Sequence, residues 1–281
     1  MKILLVSDFG IAHSLGGAQR SNQLILNEGI ERGHDISIYH YDTDSSLLWE
    51  NYDIVISSNL EMISRTNPMI IQYCSASPNH VRLEHDFCRY LDNNIREYLY
   101  ENCAKTFFLT TYHYKKFVEY YGDYFRNVEI VPDPISKDRF YDMELERKDD
   151  ILYVGFMHPL KGTDNFINYV INNKDKTFTV AGWGDRRYED CMISEPNVNF
   201  LGKIDYVDMV QLYNSHKQMY YNPDFDEPFC RAVGEALMCG VDVIGDSNKI
   251  GSLHMYQDDP ASFADKCDNA AKTFWEILEC L

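Results

Sequence analysis

The stretch Glu227-Pro-Phe-Cys-Arg-Ala-Val-Gly-Glu235, continued by Ala-Leu-Met-Cys-Gly240, is the most informative part of the sequence. Its pattern predicts a helix over 229–239. Pro228 suits a helix start, because the missing N–H would be unpaired there, and Gly240 suits a helix end. A short apolar run over 241–244 follows and predicts a buried strand. The segment therefore indicates a helix–strand unit of an α/β sheet.

The chemistry of this segment lies in two carboxylates and one cation. The start of a helix offers backbone N–H groups and a positive dipole end, which suit a diphosphate. Glu227 precedes the predicted helix and can accept hydrogen bonds from sugar hydroxyls, whereas Glu235 lies two turns later and can accept from both hydroxyls of a ribose. Arg231 falls in the first turn as a possible phosphate ligand. An ordinary amphipathic helix with incidental carboxylates would show the same spacing.

Outward from this segment, short apolar runs alternate with longer amphipathic stretches. The runs predict strands over 2–6, 35–39, 53–57, 69–73, 106–109, 128–131, 151–154, 178–181, 198–201, 218–221 and 241–244. The amphipathic stretches predict helices over 18–32, 84–102, 112–121, 163–172, 205–214, 229–239 and 260–281. Strands that alternate with helices predict parallel sheets covered on both faces, which is the α/β class.

Pro132-Asp133-Pro134 is the clearest break in the chain, because two prolines in three residues cannot continue a helix or a central strand. We therefore expect two Rossmann-like, doubly wound domains facing a cleft, the first over 1–134 and the second over 135–262. Open α/β sheets bind ligands at the carboxyl ends of their strands. The cleft is the expected binding site.

Composition and charge narrow the class of function. The chain has 281 residues and a formal net charge of -18, which disfavours phosphate backbones and anionic membranes as partners. No apolar stretch approaches the length of a membrane span or of a secretory leader. The eight cysteines contain no C-x-x-C pair, so reduced thiols in a cytoplasmic protein are expected, and a zinc site is a poor second interpretation.

The segment starting at Glu227 resembles the signature of the retaining glycosyltransferase family four, which has the GT-B fold and reads roughly E-P-F-G-x-x-x-x-E-A-M-A-C-G-x-P-V-I. Both glutamates match, and Phe229 matches the family's Phe. Three positions depart from the pattern: Cys230 stands at a common Gly, Gly234 at a bulky apolar residue, and Asp242 at Pro. By resemblance Glu227 is a catalytic residue, and Phe229, Arg231 and Glu235 bind the donor.

Other pieces follow in the family's order. Residues 152–162 resemble the family's V-G-R-x…K-G, so that Lys161 would hold the donor diphosphate, while Phe156 stands at the family's Arg. The strand end with Gly182 and Gly184 resembles a G-x-G that lets backbone approach the nucleotide. Gly16 and Gly17 resemble a glycine loop whose N–H groups face the phosphates. Residues 274–276 resemble the closing element, which assigns 263–281 to a helix crossing back to the first domain.

Histidine supplies a further candidate in the first domain. Members of this family often place a histidine from that domain near the donor sugar, and by position His85, within Glu84-His85-Asp86, could donate a hydrogen bond to a sugar hydroxyl. A packing histidine capped by its neighbours is an equally good interpretation. Weaker candidates are His13, His80, His113 and His158.

The resemblance implies a retaining, metal-independent transferase that moves a sugar from a nucleotide-diphosphate sugar, with a UDP-sugar expected, to a hydroxyl of a soluble acceptor. It implies no resident cofactor. The short first domain is also similar to small phage-encoded transferases, some of which glycosylate hydroxymethylated cytosine in DNA and work in the host cytoplasm. Two more functions are compatible with the sequence: an epimerase or phosphorylase of the same fold, and an inactive module that binds nucleotide-sugars.

Overall fold

The computed structural model describes residues 1–8, 16–40, 51–77, 79–87 and 91–281. They form two compact units. Unit 1 comprises Met1–Pro134 together with Asp268–Leu281, and unit 2 comprises Ile135–Cys267. The division at Pro134 falls at the proline-rich break, and the chain re-enters unit 1 at Asp268, five residues beyond the start of the expected closing segment.

Unit 1 contains, among the described residues, a six-stranded sheet with the order β2-β1-β3-β4-β5-β6 and parallel pairing throughout. The strands are β1 (Lys2–Val6), β2 (Asp35–Tyr39), β3 (Ile54–Ser57), β4 (His80–Leu83), β5 (Lys105–Phe108) and β6 (Val128–Ile130). The helices are α1 (Gly17–Glu31), α2 (Glu61–Thr66), α3 (Ile70–Ala76), α4 (Asn93–Glu101) and α5 (Thr111–Tyr121).

The sheet of unit 1 is buried on both faces, which explains its continuous apolar strands. Leu4 and Val6 belong to one apolar cluster, whereas Ile3 and Leu5 belong to the other, because successive strand residues point to opposite faces. The result is the three-layer arrangement expected of a parallel sheet.

One predicted strand and part of one helix are wrong. The apolar run over 69–73 lies in helix α3, which buries Ile70, Ile71 and Cys74 at helical spacing, and the strand is instead β4 (His80–Leu83). Short apolar runs do not separate the two structures by pattern alone. Of the helix predicted over 84–102, the described residues form α4, which starts where the Asp92 carboxylate accepts from the Ile95 N–H at 2.9 Å.

Unit 2 contains a five-stranded parallel sheet with the order β11-β10-β7-β8-β9. Its strands are β7 (Lys148–Met157), β8 (Phe178–Gly184), β9 (Val198–Gly202), β10 (His216–Tyr220) and β11 (Asp242–Ile244). The helices are α6 (Thr163–Asn172), α7 (Arg186–Ser194), α8 (Met209–Asn214), α9 (Arg231–Met238), α10 (Gly251–Asp258) and α11 (Pro260–Asp268). Helices α7 and α10 were not predicted from the sequence.

The helix expected over 260–281 is two helices, α11 and α12 (Ala270–Leu278), and α12 packs on α1 in unit 1. Trp275 is fully buried there, and its Nε1 donates to the carbonyl oxygen of Ile25 at 2.6 Å. A Cβ at Gly29 would come within 2.2 Å of the Trp275 ring. The glycine of α1 therefore makes room for the tryptophan.

The described cysteines are free thiols. Among the described residues, no helix has the length and apolar character needed to cross a bilayer. The same residues contain no group of three or more His, Cys, Asp or Glu side chains placed to hold a metal ion.

Candidate donor and acceptor sites

The strand order of unit 2 has its switch point between β7 and β10. Chain connections from β7 lead through α6 to β8 on one side, and the chain later returns to place β10 on the other side. The loops that leave the carboxyl ends of β7 and β10 therefore diverge, and ligands bind in such a crevice in open α/β sheets.

Lys161 and Glu227 come from these two loops and form an ion pair. Nζ of Lys161 donates to Oε1 of Glu227 at 2.7 Å, with the Lys161 side chain 35% exposed and that of Glu227 8% exposed. The hydroxyl of Tyr221 donates to the same oxygen in a short hydrogen bond. Burial raises the pKa of Tyr221 well above its ordinary value, so the phenol stays protonated and acts as donor.

The two loops are held together by a glycine contact. Gly162 has φ +73° and lies so close to the next loop that a Cβ would meet the carbonyl oxygen of Asn222 at 1.9 Å. It follows the one-turn 3₁₀ helix Pro159–Lys161, which is capped by the His158 ring, because the Leu160 N–H donates to Nδ1 of His158 at 3.2 Å. This fixes the position from which Lys161 reaches across.

The backbone of Glu227 is also fixed. Its N–H donates to the Lys249 carbonyl at 2.8 Å, and its own carbonyl accepts from the Gly251 N–H at 2.9 Å. Among the described residues, both side-chain hydrogen bonds of Glu227 end on Oε1, and Oε2 accepts none. The second oxygen is therefore the acceptor that a ligand hydroxyl could use.

Glu235 lies in α9 and is held in a similar way. Its side chain is 5% exposed, and Oε1 accepts from the Tyr206 hydroxyl at 2.6 Å and from Nε of Arg231 at 2.9 Å. Tyr213 donates to Oε2 at 3.5 Å. Burial and the nearby carboxylate raise the pKa of Tyr206 to about 12. Arg231 lies in the first turn as predicted, with its guanidinium on Glu235 and the Tyr206 hydroxyl.

The helix that carries Glu235 starts later than the sequence suggested. Pro228 lies before α9 rather than at its start, and the N-cap is Cys230, with φ +68°. Few non-glycine residues adopt this left-handed conformation, and the family pattern has Gly here. Burial raises the pKa of the Cys230 thiol to about 12, so it is a neutral packing group beside Glu227.

Phe229 is a core residue. Its side chain is 1% exposed, lies parallel to the Phe263 ring and packs where a Cβ on Gly234 would approach to 2.8 Å. The small residue at 234 therefore accommodates the phenylalanine. The side chain of Phe229 is buried in the core of unit 2, and the donor-binding role expected for this residue stays a prediction.

Gly182 and Gly184 are needed by the sheet itself. A Cβ at Gly182 would lie 2.1 Å from the Gly155 carbonyl oxygen, and one at Gly184 would lie 2.3 Å from that of Met157. The pairing of β7 and β8 is tight at this end and accounts for both glycines without a nucleotide. Their expected contact with the donor stays a prediction.

In unit 1 the switch point lies between β1 and β3, and a buried polar cluster occupies the carboxyl ends of these strands. The amide of Asn22, from α1, donates to the hydroxyls of Ser58 at 3.2 Å and Ser7 at 3.5 Å. His85, which follows β4, has Nε2 3.0 Å from Oδ1 of Asn22 and Nδ1 3.4 Å from Oδ1 of Asp133. The structure thus brings His85 to the sheet edge where ligands bind.

Gly16 and Gly17 lie at the same edge. Gly16 is the N-cap of α1, and Gly17 is its first residue, so the glycine pair is at the start of a fifteen-residue helix. This matches the position expected of a loop whose N–H groups face phosphate. The residues immediately before it, 9–15, which include His13, lie outside the described part of the chain.

The other described histidines that the sequence offered as weaker candidates, His80, His113 and His158, make local structural contacts. Burial lowers the pKa of His80 to about 3 and that of His113 to about 4, so both are neutral at pH 7. His80 contacts the Ser57 hydroxyl at 2.8 Å, and His113 lies 3.1 Å from the carbonyl oxygen of Asp86. His158 caps the 3₁₀ helix.

Two of the three tyrosines that donate to the site carboxylates, Tyr206 and Tyr221, were not predicted from the sequence. Tyr206 lies 29 residues before its partner in the sequence and Tyr221 six residues before its own. Tyr221 ends an apolar run just before the Glu227 segment, a weak signal that it could face the site. Nothing in the sequence around Tyr206 marks it.

Comparisons with known proteins concern the family of unit 2 and the fold of the whole chain. Residues 148–273 match the family described as "Glycosyl transferases group 1". No curated protein sequence matches the chain. Among solved structures, the chain is similar to HepE of Anabaena in complex with UDP and glucose, with a TM-score of 0.71, 13% identity and coverage of 100% of both chains.

Sucrose-phosphate synthase from Thermosynechococcus elongatus has a TM-score of 0.70 at 14% identity, with 99% of this chain and 96% of that chain covered. AviGT4, a glycosyltransferase of avilamycin A biosynthesis, has a TM-score of 0.61 at 14% identity, with 96% and 88% covered. At such identities the likeness shows the fold. The chain consists of two Rossmann-like α/β sheets of the GT-B type, and residues 148–273, which include most of its second unit, are similar to the family described as "Glycosyl transferases group 1".

Proposed function

We propose that this protein is a retaining glycosyltransferase that moves a sugar from a UDP-sugar to a hydroxyl of a soluble acceptor, without a metal or a resident cofactor. The observation that carries the proposal is the ion pair of Lys161 and Glu227 at the switch point of unit 2. The resemblance to family four supports retention and metal independence, and the free thiols of the described cysteines support a cytoplasmic setting. The complexes of HepE with UDP and with UDP-glucose support the choice of donor.

In this proposal Lys161 binds the diphosphate of the donor, and Glu227 binds its sugar. Lys161 is one-third exposed and can turn from Glu227 toward a diphosphate, whose negative charge grows as the sugar–phosphate bond breaks. Glu227 keeps its hydrogen bond from Tyr221 and accepts a sugar hydroxyl on Oε2. Glu235 accepts the ribose hydroxyls beside Tyr206 and Arg231.

The acceptor side is assigned to unit 1. Retention without a covalent intermediate requires the acceptor hydroxyl to attack from the face that the leaving diphosphate occupies. The leaving phosphate oxygens then take the proton from the acceptor, so no protein base is needed. His85 stands at the sheet edge of unit 1 with Nε2 bonded to Asn22, and it would donate from Nε2 to a hydroxyl of the transferred sugar by exchanging that bond. Gly16 and Gly17 would offer N–H groups to the diphosphate.

The first test is a thermal melt in the presence of UDP, GDP, TDP and their common sugar conjugates. A ligand that binds only the folded protein adds about 2.7 kcal/mol of stability at a hundred times its dissociation constant. We expect a shift with UDP that is lost in Glu235→Ala. Glu195→Ala serves as the matched control, because Glu195 makes a surface ion pair with Lys174 in the same unit.

Catalysis is tested by donor hydrolysis and by the configuration of the product. We expect slow release of glucose from UDP-glucose in water, and an α-anomer product by proton NMR. Lys161→Met should lower turnover by about 10²-fold or more, as expected for loss of a preorganised charge in the transition state. A folded protein that shifts with no nucleotide would overturn the proposal, whereas binding without hydrolysis or transfer would favour an inactive binding module. If sugar were transferred only to DNA that contains hydroxymethylcytosine, modified DNA would replace the soluble acceptor in the proposal.

A further inference from the structure

Two large aromatic side chains lie exposed on neighbouring strands of unit 2. Phe156 of β7 and Trp183 of β8 are paired in register, and their ring centroids are 6.0 Å apart at an interplanar angle of 70°. Phe156 is 45% exposed and Trp183 is 44% exposed. Adjacent exposed rings of this size are a typical signal of a binding surface rather than of random surface composition.

The position of the pair in the sheet strengthens this interpretation. Residues 151–154 and 178–182 of the two strands are buried, whereas Phe156 and Trp183, close to the carboxyl ends, are exposed. That edge is where an open α/β sheet binds its ligand. The aromatic pair is therefore exposed at the part of the sheet where a ligand is expected.

The pair is connected to the cations of the proposed donor site. The ring of Phe156 is nearly parallel to that of His158, with centroids 6.2 Å apart, and His158 caps the turn that carries Lys161. On the other side, Nζ of Lys203 lies 5.1 Å from the Trp183 ring. Two exposed aromatic rings, with Lys203 beside one and the turn that carries Lys161 next to the other, complement a ligand that joins a ring to phosphates.

We propose that Phe156 and Trp183 form a stacking platform for a ring of the nucleotide-sugar donor. The inference rests on the proposed function and deepens it, because it names side chains that contact the donor through its ring faces. Both a nucleobase and a pyranose present a face that packs on aromatic rings. Phe156 replaces the Arg that the family pattern has at this position, so the chain has exchanged a phosphate contact for a ring contact.

The experiment measures the affinities of uridine, UDP and UDP-glucose by calorimetry for the wild type, Phe156→Ala and Trp183→Ala. Stacking on an aromatic side chain contributes enough that its removal should weaken binding by about 10-fold or more. Ile193→Ala is the matched control, because Ile193 is a 63% exposed apolar residue of α7 in the same unit. All three substitutions are at exposed positions and should leave the fold intact.

The ligand series identifies the ring. An equal loss for uridine, UDP and UDP-glucose places the base on the platform, and a loss confined to UDP-glucose places the sugar there. A second readout is the fluorescence of Trp183, which should be quenched by the ligand and should lose that quenching in Trp183→Phe, while the affinity stays within a few-fold of the wild type.

The inference and the proposed function fail differently. Unchanged affinities in both alanine variants, with UDP binding still lost in Glu235→Ala, would overturn the platform and leave the donor site standing. A wild type that binds none of the three ligands would overturn both. Equal losses in Ile193→Ala and the platform variants would show a general loss of structure and would also contradict the platform.

Discussion

Replacing Lys161 by methionine removes the cation from a carboxylate that is nearly buried. The Glu227 side chain is 8% exposed and that of Lys161 is 35% exposed, and their charged atoms are 2.7 Å apart. Breaking a fully buried pair costs about 3–5 kcal/mol, and an exposed pair contributes about 0–1 kcal/mol. This pair is intermediate, because water reaches the lysine and Tyr221 still donates to Oε1.

We therefore expect Lys161→Met to lower the free energy of unfolding by about 2 kcal/mol, measured by urea denaturation at pH 7. For a domain of this size the corresponding drop in melting temperature is about 4–8 °C. The matched control is Lys217→Met, because Lys217 pairs with Asp149 at side-chain exposures of 55% and 89%. That variant should change the free energy of unfolding by less than about 0.5 kcal/mol.

Combining Lys161→Met with Glu227→Gln tests whether the loss of stability comes from the uncompensated charge of Glu227. The amide removes the uncompensated charge, so the double variant should be more stable than Lys161→Met, and the cycle should give a coupling of about 1–2 kcal/mol. The stabilising role of the ion pair is refuted if Lys161→Met has the same free energy of unfolding as Lys217→Met, or if the coupling energy is within error of zero. Either result would mean that the Glu227 carboxylate is hydrated and that its pair with Lys161 does not stabilise the two loops.

Three further predictions concern other parts of the molecule. Gly29→Ala should destabilise unit 1 by about 1–3 kcal/mol in urea denaturation, because the new Cβ would overlap the Trp275 ring, although alanine favours helices. The control Asn27→Ala, at an exposed position of the same helix, should be neutral or stabilising, and equal effects of the two substitutions would contradict the packing of Trp275 on Gly29. Burial lowers the pKa of His113 to about 4 from about 6.5 in the unfolded chain, so the contribution of the neutral imidazole to stability is complete above pH 6.5 and falls toward pH 4 by about 1.4 kcal/mol per pH unit. The difference in unfolding free energy between wild type and His113→Gln should therefore shrink between pH 7 and pH 5. A difference that stays constant would show that the imidazole is hydrated. Tyr206→Phe should lower the free energy of unfolding by about 1–2 kcal/mol through a lost hydrogen bond to a buried carboxylate, and an unchanged urea midpoint would argue against that bond.

Sequence periodicity was enough to predict most of the fold. The strands of both sheets other than β4 follow apolar runs, and the helix over 163–172 was predicted with its observed bounds. The failure at β4 has a physical cause. His80 and Arg82 are buried polar residues in that strand, satisfied by hydrogen bonds to Ser57 and to Glu84, so the strand lacks an apolar run. Contacts between distant residues are needed to bury such a strand, and periodicity does not report them.

The candidate site was predictable in its charged members and not in their partners. The spacing of Glu227 and Glu235 and the position of Lys161 were visible in the sequence, and the structure places Lys161 against Glu227. The role of Phe229 was not visible, because whether an aromatic ring faces a ligand or a core depends on the residues that pack on it. Here these are Gly234 and Phe263.

The two carboxylates of unit 2 are held by the same combination of groups. Each has a tyrosine hydroxyl and a cation on Oε1: Tyr221 with Lys161 on Glu227, and Tyr206 with Arg231 on Glu235. A phenol whose pKa is raised by burial remains a donor at all physiological pH values, so it orients the carboxylate without competing for its charge. A ligand hydroxyl that binds Oε2 of Glu227 then adds a hydrogen bond to a carboxylate already in place, which reduces the ordering cost of binding. At Glu235 the second oxygen already accepts from Tyr213 at the long distance of 3.5 Å, so a ribose would have to share it. For the donor binding that we propose, the arrangement predicts firm binding of the sugar at Glu227 and adjustable binding of the ribose at Glu235.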